Sequence, residues 1–193
     1  MTFGQSSASD RPTKVESQTD QITKFFIGQP AANSAYETGS LHIIYSDGTD
    51  VAQVLPPFEP STDKEVFVNA VGFTGVVLAQ DGQTLGWEVN FDAPGQSYSI
   101  PLSVVVFRHK KVLHSFGGIQ MIWDWMFVKG GNQVAIVSGP THGPEIGDYR
   151  LYDVRTGKLV SEVFGDEDTQ SLKLDAPEWA KQLEDHLHKR SAP

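Results

Sequence analysis

The stretch VVLAQDGQTLGWEVNF, residues 76–91, consists of two apolar runs joined by a glycine-containing turn. A second stretch with the same plan, WDWMFVKGGNQVAIVS, occupies residues 123–138. The turn glycines align, Gly82 with Gly131. Because the runs and turns recur in the same order, the sequence indicates a repeated structural unit.

The repeat extends beyond a long loop in each unit, where Phe107 aligns with Val154 after a small change in loop length. Each unit then follows the order strand, short turn, strand, longer loop, strand, short turn, strand. This order predicts a four-stranded antiparallel meander, which is the unit of a β-propeller blade. The two predicted units occupy residues 66–117 and 118–164.

The strands of both units are apolar on both faces, as in LSVVVF at residues 102–107. A sheet with one solvated face would alternate apolar and polar residues, so these strands are expected to be covered on both sides. Two units are too few for a closed propeller, which needs about four blades. We therefore predict an all-β fold of two propeller-blade-like meanders packed together in an open or sandwich-like arrangement.

The residues before the first unit divide into two predicted parts. Residues 1–20 are polar and lack periodicity, which predicts a disordered arm. Residues 40–55 contain two strand-like runs around Asp47-Gly48, a strong hairpin signal. We expect this N-terminal hairpin to complete or cover one sheet, so that residues 21–170 form a single β domain.

Residues 171–193 are predicted to form a helix and a short tail. Asp175 is the expected N-cap, and Trp179, Leu183 and Leu187 form one apolar stripe on an amphipathic helix. Such a stripe must dock on something. Docking on the protein's own sheet is one alternative, and contact with a partner through these three residues is the other.

The segments that resemble a known family are AVGFTGVVLAQDGQTLGWEVNF, SYSIPLSVVVFRHKKVLHSF, IWDWMF and DYRLYDVRTGKLV, which together span about half of the chain. They resemble uncharacterised bacterial proteins, often exported, that carry WD40-like or TolB-like β-propeller-type repeats. Ala-Gln-Asp-Gly stands here where the blades of that group have Ala-Pro-Asp-Gly. The resemblance implies a fold and supplies no catalytic residues.

Composition limits the partners of the chain. Its formal net charge of −9 disfavours nucleic acid and anionic membrane surfaces. No run has the length of a membrane span, and the absence of cysteine removes disulfides and thiolate chemistry. The N-terminus lacks the pattern of a signal peptide, so we expect a periplasmic or secreted protein if a leader precedes this sequence, and a cytoplasmic one otherwise.

The two long loops, residues 92–100 and 139–149, are the candidate sites of chemistry. Tyr98, His142 and Glu145 would line a shared cleft if both loops lie at one end of the fold. A histidine beside a carboxylate is suited to acid–base or metal chemistry. The alternative is a pair of solvated turns, and we predict neither a metal site nor a cofactor.

Asp124 is the one charge in the apolar stretch MIWDWMF, residues 121–127. In a regular strand, Met121, Trp123, Trp125 and Phe127 would share one face and Asp124 would lie on the other. If that second face is buried, Asp124 needs hydrogen-bond donors, which could be a backbone N–H, Tyr, His or Arg. A catalytic role together with His142 and Glu145 is the alternative.

These observations favour a non-catalytic binding or protein-interaction domain whose ligand is a protein or a small molecule. The first alternative is a hydrolase-like or metal-assisted enzyme that uses the two long loops. The second alternative is a purely structural remnant of a longer propeller. Because open sheets leave unpaired edges, we also expect a homodimer formed through a sheet edge.

Overall fold

The protein is described by a computed structural model that covers residues 20–30, 32, 38–55, 69–92, 98–118, 120–141, 147–165 and 172–191. The described residues form eleven strands and one helix. The elements are β1 (Ile22–Ile27), β2 (Leu41–Tyr45), β3 (Asp50–Gln53), β4 (Ala70–Leu78), β5 (Leu85–Phe91), β6 (Ile100–Arg108), β7 (Lys111–Gly117), β8 (Met121–Val128), β9 (Gln133–Gly139), β10 (Asp148–Asp153), β11 (Leu159–Phe164) and α1 (Glu178–Ser191).

The strands form three antiparallel sheets. The first sheet has the order β1-β2-β3, the second β4-β5-β6-β7 and the third β11-β10-β9-β8. The second and third sheets are the two predicted four-stranded meanders, and within the described residues no sheet closes into a barrel or a propeller. The all-β prediction is therefore confirmed, and the N-terminal hairpin gains β1 as a third strand.

The three sheets and the helix are stacked in the order first sheet, second sheet, third sheet, α1. Leu41 and Ile43 of the first sheet share a buried cluster with Trp87 of the second. The opposite face of the second sheet, including Val104, packs against Trp125 of the third. Both faces of the second and third sheets are thus covered, which explains why their strands are apolar on both sides.

The second and third sheets approach each other closely at Gly86. A Cβ atom at this position would lie 2.5 Å from Cη2 of Trp125, so only a glycine leaves room for the indole ring. Trp125 is almost completely buried and meets the ring of Phe127 edge to face, with the ring centroids 5.3 Å apart. The aromatic residues of β8 therefore form part of the core between the two sheets.

A β-bulge in β8 alters the predicted division of its faces. Ile122 pairs with Ser138 and Asp124 pairs with Val137, so Trp123 is the extra residue. Trp125 packs between the sheets, whereas Trp123 packs on the helix side of the third sheet. The prediction that both tryptophans share one face is therefore wrong, because the bulge reverses the alternation.

The register of the repeat also differs from the sequence alignment in its second half. Phe107 pairs with Leu85, and Tyr152 pairs with Val134, which is the counterpart of Leu85. Tyr152 is therefore the structural counterpart of Phe107, and the alignment of Phe107 with Val154 is wrong. The β6–β7 and β10–β11 turns differ in length, which hid this shift.

Helix α1 docks on the protein's own third sheet. Leu183 and Ala180 are fully buried against Val137 and Leu151 of that sheet. The helix begins at Glu178, and the carbonyl of Pro177 accepts hydrogen bonds from the N–H groups of Ala180 and Lys181. The N-cap is therefore Pro177 rather than the predicted Asp175. Nearly all of the predicted disordered arm lies outside the described residues.

Candidate functional site

The strand ends that flank the two long loops lie together at one end of the stack. Ile100, at the start of β6, packs with Met121, at the start of β8. Met121 in turn pairs with Gly139, where the 139–149 loop begins. Tyr98 lies before β6 and its side chain is 51% exposed. His142 and Glu145 lie outside the described residues, so their predicted cleft with Tyr98 stays a prediction.

A cavity of about 290 Å³ lies at the base of the 139–149 loop, between the third sheet and the end of β7. One wall is the face of the third sheet that looks toward the second sheet, and the opposite wall is the backbone of the glycines at the end of β7. The lining residues are Gly117, Gly118, Gln120, Ile122, Ile136, Ser138, Asp148, Arg150 and Tyr152. The two glycines at the end of β7 line this space without a side chain of their own.

Arg150 on β10 is the centre of a row of polar groups in this cavity. Its Nε donates to Oε1 of Glu162 over 2.6 Å, and its Nη2 donates to Oδ2 of Asp148 over 3.0 Å. Its Nη1 lies 3.4 Å from Oγ of Ser138, which itself donates to Oε1 of Gln120 over 3.2 Å. The row crosses the third sheet and fixes the orientation of every member.

The surroundings of Arg150 and Tyr152 raise the pKa of both side chains. Burial alone would lower the pKa of Arg150, but the hydrogen bond with Glu162 and the negative charges of Asp148 and Glu162 outweigh burial and raise it. For the Tyr152 phenol, burial raises the pKa, and the positive charge of Arg150 offsets only part of this rise. Arg150 therefore stays cationic, and Tyr152 stays a neutral donor.

The position of this charged row is unusual, because the same face of the third sheet is apolar elsewhere. Ile136 and Tyr152 on either side of Arg150 belong to the apolar cluster between the second and third sheets. A partly buried ion-pair network is weak evidence for stability, so stability alone does not account for this row. The row is therefore a candidate binding site.

Asp124 is fully buried beneath α1 and has two donors from the helix. Nδ1 of His186 lies 2.6 Å from one carboxylate oxygen, and Nη1 of Arg190 donates to the other over 2.6 Å. Asp124 is thus buried with hydrogen-bond donors, as predicted, and of the four expected kinds of donor the structure shows a His and an Arg. Both donors come from a helix that the sequence analysis placed only by its apolar stripe.

Glu88 on β5 is a second buried carboxylate that Arg190 reaches. Nη1 of Arg190 lies 3.5 Å from Oε1 of Glu88, and Oγ1 of Thr74 donates to Oε2 over 3.0 Å. Gly75 allows β4 to lie against this carboxylate, since a Cβ there would be 3.1 Å from the Glu88 carboxyl carbon. Arg190 thus connects α1 to both the second and the third sheet.

The three residues predicted to contact a partner from the helix all pack on the third sheet. Leu183 is completely buried, and Trp179 and Leu187 are partly buried against the same cluster. While the helix is docked, Leu183 has no surface for a partner. Of the two predicted alternatives, the structure shows docking of the helix on the protein's own sheet.

The outer margin of the second and third sheets exposes apolar side chains at the strands β7 and β11. On β11, Leu159, Val160 and Phe164 are 49%, 52% and 57% exposed. Val112 on β7 is exposed as well. The two margins meet where His114 of β7 lies against Gly157, in the turn before β11. We call the three exposed residues of β11, Leu159, Val160 and Phe164, the outer apolar patch.

The sequence analysis did not single out Arg150 or the outer apolar patch. A signal for Arg150 is present in DYRLYD, residues 148–153, where Asp148, Arg150 and Tyr152 alternate on one face of a strand that is otherwise expected to be apolar. The exposure of the patch had no such signal, because it depends on which strand lies at the edge of each sheet.

Among the described residues, no group of three or more His, Asp or Glu side chains is arranged to hold a metal ion. None of the described helices has both the length and the apolar character needed to cross a membrane. The chain matches no model of a known protein family and no curated protein at a significant level.

Proposed function

We propose that the chain is a protein-interaction domain that pairs through β11, which among the described strands lies at the edge of the third sheet. The supporting observation is the exposure of Leu159, Val160 and Phe164 on a strand that ends the third sheet. An edge strand presents unpaired N–H and C=O groups, and apolar side chains beside them favour addition of another strand. Scattered apolar residues are common on surfaces, but here three occur on one edge strand.

The other sheet edges carry features that oppose strand addition. Lys24 on β1, Asp50 on β3 and Lys111 on β7 place charges at three edges. The remaining edges, β4 and β8, are interrupted by bulges. On β11 the bulge lies at Val160, near the start of the strand, and the register from residue 161 to residue 164 is regular.

The partner that this edge fits best is a second copy of the chain. Glu162 is the one charged residue in β11, and its carboxylate is neutralised by Arg150 at 2.6 Å. Antiparallel pairing of two β11 strands about a twofold axis would therefore bring no uncompensated charges together. It would join two third sheets into one eight-stranded sheet. A six-residue strand and the outer apolar patch form a small interface, so we expect a weak dimer with a Kd of about 10 µM.

Sedimentation velocity over protein concentrations of about 1 µM to about 1 mM tests this function. We expect a monomer–dimer equilibrium for the native chain and a monomer for Phe164→Lys, because lysine is a residue that natural edges use against pairing. The matched control is Val54→Lys, which adds the same charge at an exposed site after β3 and should leave the equilibrium unchanged. A native chain that stays monomeric throughout would refute the proposed function.

We propose further that the two meanders derive from propeller-type repeats. The support is the equivalent strand order of the second and third sheets and the equivalent register at Leu85 and Val134. Bacterial origin and export are part of the same proposal. A structure-based profile of the two units that retrieves other repeat folds in preference to propeller blades would argue against it.

A further inference from the structure

The cavity beside Gly118 has the size, the charge and the polar groups of a small-molecule site. We infer that it binds a small uncharged polyhydroxy compound, namely a neutral monosaccharide or the terminal sugar of an oligosaccharide. None of the residues that line this site belongs to β11, and the site adds to the proposed function.

The volume of the cavity sets the size of the ligand. At about 290 Å³ it lies near the lower limit of the range for small-molecule sites, about 300 to 1,000 Å³. A single sugar ring or a short polyol has this scale. A nucleotide or a folded peptide is too large to be enclosed here, although an oligosaccharide could place its last ring inside.

The charge of the cavity disfavours ionic ligands. Arg150 contributes one positive charge, whereas Asp148 and Glu162 contribute two negative charges within hydrogen-bonding distance of it. The surplus of negative charge, on a chain of net charge −9, opposes an anion. A cation would have to compete with the guanidinium group of Arg150, which already pairs with both carboxylates. A neutral ligand meets neither obstacle.

The polar groups of the cavity match hydroxyl groups, which both donate and accept hydrogen bonds. Asp148 uses one carboxylate oxygen for Arg150, and its second oxygen is an acceptor. The side chain of Gln120 uses Oε1 to accept from Ser138, and its amide nitrogen is a donor. Because donors and acceptors stand in one fixed row, a molecule with several neighbouring hydroxyls can satisfy them together.

The remaining wall suits the carbon skeleton of such a ligand. Ile122 and Ile136 project from β8 and β9 into the cavity between the polar row and the core. A sugar ring presents hydroxyls at its rim and C–H groups on its faces, so it can contact the isoleucines while its rim meets the polar row. Binding sites commonly combine apolar walls with a few convergent polar groups in this way.

NMR titration with neutral sugars tests the inference directly. The neutral compounds are glucose, galactose, mannose, sorbitol and a neutral disaccharide, and the charged counterparts are glucuronate and glucosamine. Each is added to about 20 mM, because weak sites have a Kd of about 1 mM. We expect neutral compounds to shift the backbone amide of Gly118 and the side-chain amide of Gln120. Tighter binding of a monosaccharide than of the disaccharide indicates a site for a free monosaccharide, and the reverse order indicates a site for the end of an oligosaccharide.

Two variants provide the specific control. Gly118→Val adds bulk at a residue that lines the cavity, and its Cβ position has no other atom within 4 Å, so the fold can accept it. Ala52→Val adds similar bulk at an exposed site on β3. We expect neutral sugars to bind Gly118→Val at least about tenfold more weakly than they bind the native chain or Ala52→Val. We also expect glucuronate to bind the native chain at least about tenfold more weakly than glucose does.

The inference is overturned if the neutral compounds leave both amides unshifted, if a charged counterpart binds more tightly than they do, or if Gly118→Val binds as the native chain does. Val160→Lys, which adds a charge on the β11 edge at the bulge residue, should weaken dimerisation and leave sugar binding unchanged, because residue 160 pairs with none of the residues that line the cavity. Failure of the dimer and failure of the sugar site can therefore be told apart.

Discussion

Arg190, in the last turn of α1, donates a hydrogen bond of 2.6 Å to the fully buried carboxylate of Asp124 on β8. The same nitrogen lies 3.5 Å from Glu88 on β5. One cation thus neutralises buried carboxylates from two sheets and attaches the helix to both. The aspartate in MIWDWMF is therefore an anchor for the C-terminal helix.

Replacing Arg190 by methionine should destabilise the fold by about 2 kcal/mol. The change leaves Asp124 buried with His186 as its remaining donor, and the penalty is reduced because the Arg190 side chain is about half exposed. Urea unfolding measures the change. Lys189→Met, which removes an equal charge at the adjacent exposed position, is the control. Equal losses of unfolding free energy in both variants would show that Arg190 acts only through its contribution to the net charge and not through Asp124.

Replacing Gly86 by alanine should cost about 1–3 kcal/mol of unfolding free energy, since overpacking a close contact forces the surrounding structure to shift. The added methyl group would lie 2.5 Å from the ring of Trp125. Gly118→Ala is the matched control, because its Cβ position is open. Thermal unfolding of the two variants provides the comparison. Similar melting temperatures would contradict the close approach of the second and third sheets at Gly86.

The stability of the protein should fall as the pH rises from 10 to about 12. Burial raises the pKa of both Tyr45 and Tyr149 to about 12, and the nearby carboxylate of Glu184 adds to the effect at Tyr149. A phenol whose pKa is raised on folding contributes stability that is complete below pH 10, the unfolded value, and is lost as the pH passes through the folded value.

Urea unfolding at several pH values in this interval measures that loss. The variant Tyr45→Phe/Tyr149→Phe has no phenol to ionise at either position, so its unfolding free energy should depend less steeply on pH. If the unfolding free energies of the native chain and the double variant depend equally steeply on pH between about 10 and 12, the two tyrosines do not cause the effect.

The sequence predicted the two meanders because their turn signals and apolar runs are local features. Gly82 and Gly131 mark equivalent turns, and both have positive φ. It did not predict the bulge at Trp123, because a bulge depends on the pairing of β8 with β9 rather than on the composition of β8 alone. The shift of register at Tyr152 was hidden because the β6–β7 and β10–β11 turns differ in length.

The candidate sites were predictable to different degrees. Side chains alternate between the two faces of a strand, so the sequence alone predicts that Asp148, Arg150 and Tyr152 share one face. The pairing of Asp124 with His186 and Arg190 joins residues far apart in the chain, and it could be predicted only as a requirement for donors. The edge position of β11 among the described strands follows from sheet order, which the repeat alone does not define.

The central claim, pairing of two chains through β11, is tested most directly by pulsed EPR between spin labels. The native chain has no cysteine, so Ser161→Cys places one label on β11 of each copy. Antiparallel pairing of strands about 20 Å long predicts a label-to-label distance of about that length or less. The control label, at Thr23→Cys on β1, should give a much longer distance. An absence of dipolar coupling at residue 161, or a distance there longer than at residue 23, would contradict the account.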